Sequence, residues 1–462
     1  MLGTMAMAPA PRAPRGPTTP PVAAGEAPAS VRAKRPGRGG LRPWAASRAV
    51  PLVGAGVFSV AVVNYSLWWW PVVHHVDAWW VPGDFWATWF AGKAFVGGHW
   101  AALYGGHSRL TTLPGVLVVL APVVALAQSL HLSVGAPYTA VSTPTAWLAL
   151  EPVALAAAVV ALCALDALAR RLGVPARRRA WLVGAEVVAL WNLLVVQWHP
   201  EDALAVALAV WALLGALDGR WARCAWLVGA AVALQPLAVL AVPALATLAG
   251  WRRLPGLAAR AAAPVLAVVA GPLAVAPGAT LRGVLAEEGR LVSVADHPTP
   301  WIHLAPHLAG GVVAAGPARA VAVVAAAVVS VVACRRHPRP ETVVWVVALS
   351  FALRTCFEAV MVAYYLWPAL ALALVLGARA SAPRLAVAGA CCCFATAFAQ
   401  LPWQGEWAWW SVLVACSAGA LAAAWPTGAG APVPTMAGRD GSGTDTACDS
   451  ATPTGWRPSA TG

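Results

Sequence analysis

Charge is scarce in this chain. Only 11% of its 462 residues are Asp, Glu, Lys or Arg, against about 25% in soluble domains. That excludes an ordinary water-soluble fold. Lysine is almost missing, and Lys93 is one of only two. No C-x-x-C pair occurs among the nine cysteines, and Cys391, Cys392 and Cys393 sit side by side in an apolar run. This argues against a zinc site or a disulfide framework, and these cysteines read as small hydrophobes. The phosphate-binding pattern G-x-x-x-x-G-K-[ST] is absent, and with it that cofactor fingerprint. No convincing internal repeat relates the two halves, which weakens a transporter built from repeats. No clear small-residue cleavage site follows the first apolar run, so that run reads as an uncleaved membrane span.

What is abundant is apolar sequence. Hydrophobic residues make up 60% of the chain and the mean hydropathy is +0.70. Apolar runs of roughly 17–25 residues recur along it, the mark of an all-α, polytopic membrane protein. The net charge of +13 is not a nucleic-acid signature, because the arginines cluster at the ends of apolar runs. The first span is expected near Val50–Trp70. Further segments follow near Pro114–Leu130, Trp147–Ala169, Ala180–Trp198, Ala203–Leu217, Cys224–Leu248, Leu257–Val275, Leu308–Cys334, Thr342–Phe357, Val362–Gly377, Leu385–Leu401 and Trp407–Trp425. Residues 1–48 are Pro-, Ala- and Arg-rich and are expected to be a disordered cytoplasmic N-terminus. Residues 426–462 are expected to be a disordered cytoplasmic tail, leaving 49–425 as the membrane domain.

If every run were a full span, the basic stretch Arg170–Arg179 would fall outside, against the positive-inside rule. Two re-entrant or hairpin elements remove the conflict: Pro114–Leu130, and Cys224–Leu248 broken at Gln235-Pro236. About 10–12 membrane segments are then expected, with both termini cytoplasmic.

The longest polar interruption is the first outer loop, 71–113. Within it, D-A-W-W-V-P-G-D-F-W-A-T-W-F-A-G-K-A-F spans Asp77 to Phe95. Apolar residues recur at helical spacing from Asp84 onward, and the stretch reads as a short interfacial helix with its rings at headgroup depth. Asp84 follows Pro82-Gly83, where it serves either as a helix cap or as a reactive carboxylate. Asp77 has no helical context and reads first as a solvated loop residue, with a substrate contact as the alternative. Lys93 either meets an anionic group or snorkels from the interface.

Other polar residues fall on the same outer face. The turn W-H-P-E-D supplies His199, Glu201 and Asp202, which also suit a helix start without any function. A Pro-rich loop supplies His297 and His303, without the helical i,i+4 pair that would favour a metal. Arg290 lies in the same loop. Arg354 and Glu358 stand four apart in an apolar run, where ionisable groups are costly and usually face a cavity. They are either a self-satisfied pair or include a cation for an anion such as a lipid phosphate.

The order of these motifs resembles a known family. One span is followed by G-D-F-W-A-T-W-F-A-G-K-A-F and A-L-Y, then a Pro-broken apolar run. Later come Q-W-H-P-E-D-A-L-A-V-A-L, a mid-helix Q-P, and Y-Y-L-W-P-A-L. Over roughly residues 50–400 this is similar to the bacterial polyprenol-phosphate-mannose-dependent α-mannosyltransferases of the GT-C superfamily. The resemblance implies that Asp84 is the catalytic base and that Tyr364 and Tyr365 belong to the substrate site. It also implies inversion at the donor carbon. Where the family often carries a Gly-Gln-type turn, this chain has Gln197-Trp198-His199, a departure bearing on donor and acceptor.

Such an enzyme moves a sugar from a lipid phosphate to a hydroxyl outside the cytoplasmic membrane. It needs a base, for which Asp84 stands. It also needs cations for the leaving phosphate, for which Arg354, Arg290 and Lys93 stand in that order. Asp77, Trp86, His199, Glu201, Asp202, Glu358, Tyr364 and Tyr365 are the expected substrate contacts. Trp79, Trp80 and Trp86 either stack on sugar rings or anchor the interface. The expected partners are a polyprenyl-phosphate sugar donor and membrane lipids, with no nucleic acid. No cofactor is expected, and a divalent metal is left undecided. The alternatives are a transporter or lipid flippase using the same cavity, and a catalytically inactive partner of GT-C type.

Overall fold

A computed structural model describes residues 48–104, 110, 113–137, 142–286, 297–308, 312–313, 317–336 and 339–426. The described chain is an all-α bundle. Helix α1 (Ala49–Asn64) runs through a π-turn at Tyr65–Trp69 into α2 (Trp70–His74). Then come α3 (Gly83–Val96), α4 (Gly115–Ser129), α5 (Thr145–Arg171), α6 (Ala176–Leu190) and α7 (Pro200–Leu217). The second half holds α8 (Trp221–Leu234), α9 (Val242–Ala249), α10 (Leu254–Val275), α11 (Pro277–Ala286) and α12 (Pro317–Arg336). It closes with α13 (Pro340–Cys356), α14 (Trp367–Ala380), α15 (Ala382–Phe398) and α16 (Glu406–Ala423). One small antiparallel pair, β1 (His307–Leu308) with β2 (Val312–Val313), lies before α12.

Seven helical stretches among the described residues are long and apolar enough to cross a membrane, and four apolar helices are shorter. The short ones include α4, α8 and α15. At 14 or 15 residues, α4 and α8 rise only about 21–23 Å, less than the roughly 30 Å of a hydrocarbon core. They are arms of hairpins. Trp86 Nε1 at the start of α3 donates to the Val134 carbonyl beyond the end of α4, at 3.1 Å. The α3–α4 pair therefore leaves the bundle at the end where it entered. Helix α8 breaks at Gln235, whose φ/ψ of −147°/115° is extended, because Pro236 disfavours helical geometry in the residue before it. Val242 and Leu245 of α9 then line one cavity with Cys224 and Val228 of α8, so the chain has turned back. At Gly115 the two hairpins touch: a Cβ there would meet the Ala233 carbonyl at 2.1 Å.

These reversals bring the basic clusters to one end of the bundle. Arg48, before α1, donates to the Cys163 carbonyl near the end of α5 at 3.0 Å. Arg171 meets Asp218 at 3.2 Å, and Arg178 reaches the Ala378 carbonyl at 2.6 Å. Asp166, buried there, is ringed by Arg170 at 3.1 Å and Arg179 at 3.4 Å. The opposite end carries His199, Glu201 and Asp202.

The core sits on α7 and α14. Every residue from Trp367 to Ala378 is buried, as a helix apolar on all faces must be when neighbours surround it. By contrast α10 has only 6% of its apolar window buried and forms the rim.

The interfacial reading of α3 needs correction. Phe85, Trp86 and Trp89 are 0%, 2% and 4% exposed, so this face of α3 packs into the bundle and not among headgroups. Burying three aromatic rings against α4 and the turn before α7 outweighs leaving them at the interface.

Candidate active site

The site is built where three chain reversals meet. The first is the start of α3. Pro82 occupies the N-cap and offers no side-chain cap bond, while Asp84 lies inside the first turn. Asp84 is therefore not the cap. Its carboxylate is favoured by the helix N-terminus and bonds far along the sequence, with Oδ2 3.0 Å from His199 Nε2.

The second reversal joins α6 to α7. The helix widens into a π-stretch over Trp191–Gln197, a feature frequent at functional sites. Trp198 then takes a left-handed conformation at φ 64°, ψ 62°, which costs a bulky residue of order 1–3 kcal/mol. Full burial of its indole and a 2.8 Å hydrogen bond from Nε1 to Glu151 on α5 hold it there. The turn delivers His199 and sets Pro200 at the first position of α7, a favoured place for proline. Glu201 and Asp202 occupy the first turn, each 4% exposed. His199 Nδ1 lies 2.7 Å from Glu201 Oε1, so both imidazole nitrogens face carboxylates. Burial alone would lower the His199 pKa. The Glu201 charge and the hydrogen bond to Asp84 outweigh it and hold the imidazolium well above the usual histidine value. Gln235, at the break between α8 and α9, lies near Asp202 and favours its charged form.

The third reversal lies between α13 and α14. Tyr364 stacks on His199 with ring centroids 4.2 Å apart and planes at 18°. Tyr365 meets Tyr364 edge-on at 4.6 Å, and the Arg354 guanidinium lies over the Tyr365 ring at 4.6 Å. Arg354 Nε is 2.5 Å from Glu358 Oε1. Arg319, near the start of α12, grips Glu358 Oε2 through Nε at 2.9 Å and also through Nη2. A strap over 297–304 holds this corner. Thr299 Oγ1 donates to the Glu358 carbonyl at 2.5 Å, and Trp301 Nε1 donates to the Cys356 carbonyl at 2.8 Å.

Asp84, His199, Glu201, Asp202, Tyr364, Tyr365, Arg354 and Glu358 thus form one connected group. Other expected members lie elsewhere. Asp77 is exposed in the turn after α2. Lys93 is exposed, nine residues after Asp84 on the same helix. That is two and a half turns, which puts it on the opposite face, roughly 13 Å further along. Trp86 is buried and its N–H is bound to Val134, so its ring packs the hairpin and offers no face to a sugar. Arg290 falls outside the described residues. Arg354 and Glu358 do not share one helical face: α13 ends at Cys356 and Phe357 caps it, so Glu358 reaches back over the helix end.

The histidines of the strap serve other contacts. His297 packs tilted against Trp409 with ring centroids 4.3 Å apart, and His303 Nε2 meets Glu406 Oε2 at 2.8 Å. Among the described residues, no group of three or more His, Cys, Asp or Glu is placed to hold a metal ion.

Two members were missed from sequence. Gln235 reads in sequence as a helix break, and the fold brings it near Asp202. Arg319 had a signal that went unused: it opens an apolar run whose other end carries Arg335 and Arg336. One of those ends had to break the positive-inside pattern.

The arrangement pairs a carboxylate that keeps 45% side-chain exposure, Asp84, with a largely enclosed two-arginine corner, linked by packed aromatic rings. Fold and site together define an all-α polytopic membrane protein with a polar site at the end of the bundle opposite its arginine clusters. Residues 130–251 match the MptA_B family, described as alpha-(1->6)-mannopyranosyltransferase, N-terminal domain. Over these residues the chain is therefore similar to a family of mannosyltransferases. The matched stretch runs through α5, α6, α7, α8 and α9 and so includes His199, Glu201, Asp202 and Gln235. No curated protein and no solved structure matches the chain.

Proposed function

We propose that the protein transfers a mannosyl group from a polyprenyl-phosphate donor to a hydroxyl of a cell-envelope glycolipid, glycan or protein. The reaction takes place at the extracytoplasmic face of a bacterial cytoplasmic membrane. The observation that carries the reading is the unbroken path from the Asp84 carboxylate through His199, Tyr364 and Tyr365 to Arg354.

In this reading the acceptor oxygen attacks the anomeric carbon while the bond from that carbon to the phosphate oxygen breaks. Asp84 takes the acceptor proton. The electron pair leaves on the phosphate, giving polyprenyl phosphate, and Arg354 and Arg319 stabilise the charge that develops there. Glu358 keeps the two guanidiniums together and their net charge low until the donor arrives. His199, held between Asp84 and Glu201, orients the base. The apolar walls of the bundle take the isoprenoid.

The test uses native membranes, which contain the acceptor. Membranes carrying wild-type or Asp84→Asn protein are given a panel of polyprenyl-phosphate sugars, and released polyprenyl phosphate is measured. Release with the mannose donor and wild type alone is expected. No release above the mutant with any donor would overturn the reading in favour of a non-catalytic or transport role.

A further inference from the structure

A second binding place lies at the other end of the bundle. Helices α8 and α10 cross at Gly229, where a Cβ would meet the Ala261 carbonyl at 2.2 Å. Only glycine permits that approach. From the crossing the helices diverge toward the end that carries Arg220 and Arg253. The gap is a wedge of about 290 Å³, lined by Ala225 and Val228 of α8, Leu245 and Ala246 of α9, and Leu257 and Ala258 of α10. Its volume is near the lower limit of about 300 Å³ for ligand pockets. Because α10 is so little buried, the wedge is reached from the membrane side.

Three observations at the mouth specify the occupant. From Gly219 to Arg260 the chain holds five arginines and no Asp or Glu. Arg220 and Arg223 flank Trp221, while Arg252 and Arg253 directly precede Leu254, and both Trp221 and Leu254 line the wedge. The Trp221 indole N–H is buried without a hydrogen-bond partner among the described residues, a costly state unless an acceptor arrives. Trp251, 77% exposed with the Arg252 guanidinium 5.6 Å from its ring centre, is the kind of aromatic that sits at a headgroup layer.

We propose that the wedge binds one acyl chain of an anionic membrane phospholipid, with its phosphate among the mouth arginines and an ester or phosphate oxygen on the Trp221 N–H. This site is separate from the Asp84 site and does not rest on the function proposed for it.

Native mass spectrometry of the full chain, delipidated in detergent, tests this with phosphatidylglycerol and phosphatidylcholine as probes. One phosphatidylglycerol adduct is expected, about tenfold tighter than phosphatidylcholine. Arg252→Gln/Arg253→Gln should bring the two lipids to similar affinity, and Ala258→Trp should abolish the adduct by filling the wedge. If Ala258→Trp does not give a folded protein, Ala225→Leu fills the same space more gently and should weaken binding. Equal affinity of the wild type for both lipids would overturn the proposal. So would an unchanged adduct in a folded filling variant, or a second copy of the chain bound in place of lipid.

Discussion

The Asp84 carboxylate and the His199 imidazole meet at 3.0 Å across 115 positions of sequence. One lies in the first turn of α3 and the other just before α7. Their contact ties the α3–α4 hairpin to the core, and it leaves Asp84 open to solvent while His199 is enclosed. An oriented yet accessible carboxylate is what a general base requires.

Replacing Asp84 with Asn keeps shape and removes basicity. Under the proposed function, turnover of the mannosyl donor should fall about 10²–10⁴-fold, with the protein still inserted in the membrane. Assay of polyprenyl phosphate release beside a protease-protection check of insertion measures both. Normal turnover would remove Asp84 from the base role.

The raised pKa of His199 makes folding sensitive to alkaline pH. The folded value lies above the unfolded one, so the imidazolium contributes its full stabilisation below about pH 6.5. That contribution is lost as pH rises through the folded value, well above the ordinary one. Thermal unfolding of the solubilised protein should therefore show a decline of Tm on the alkaline side. His199→Gln should be less stable below that window and should lack this part of the decline. A His199→Gln profile parallel to the wild type would contradict the assignment.

Glu358, 1% exposed, holds Arg354 and Arg319 together. Glu358→Ala leaves two buried cations facing each other, and removing one partner of a buried pair costs about 3–5 kcal/mol. The loss should be much smaller when Arg319 and Arg354 are already Gln. A double-mutant cycle in thermal or denaturant unfolding reads the difference, and additive effects would mean that the three groups act independently. Arg354→Gln alone should also weaken use of the lipid-phosphate donor.

The chain reversals assign Gly173, exposed in the turn after α5, to the arginine-rich end. A topology reporter fused there should read cytoplasmic. An extracytoplasmic reading would mean that the α3–α4 hairpin crosses the membrane, and it would separate His199 and Asp202 from an outer site.

The sequence by itself determined the class. Little charge and arginines at the ends of apolar runs point to a membrane protein, and runs long enough for a helix to cross lipid with its backbone satisfied internally select an all-α polytopic bundle. It also placed the break at Gln235-Pro236, a local effect of one proline ring, and it marked most of the polar residues that converge. Their convergence was a matter for tertiary structure. The sequence leaves Asp84 between a cap and a reactive carboxylate, because its first turn is local, whereas its partner His199 comes through a π-stretch and a left-handed Trp198 that no periodicity reveals. Trp86 looks interfacial by composition and is buried, because packing against a hairpin is a long-range event. Lys93 and Asp84 are near in sequence yet lie on opposite faces of one helix. Arg319 joined the site only when α12 was laid against the α13–α14 turn. Charge and hydropathy act residue by residue and are legible along the chain, while the geometry of a site depends on which chain reversals meet in space.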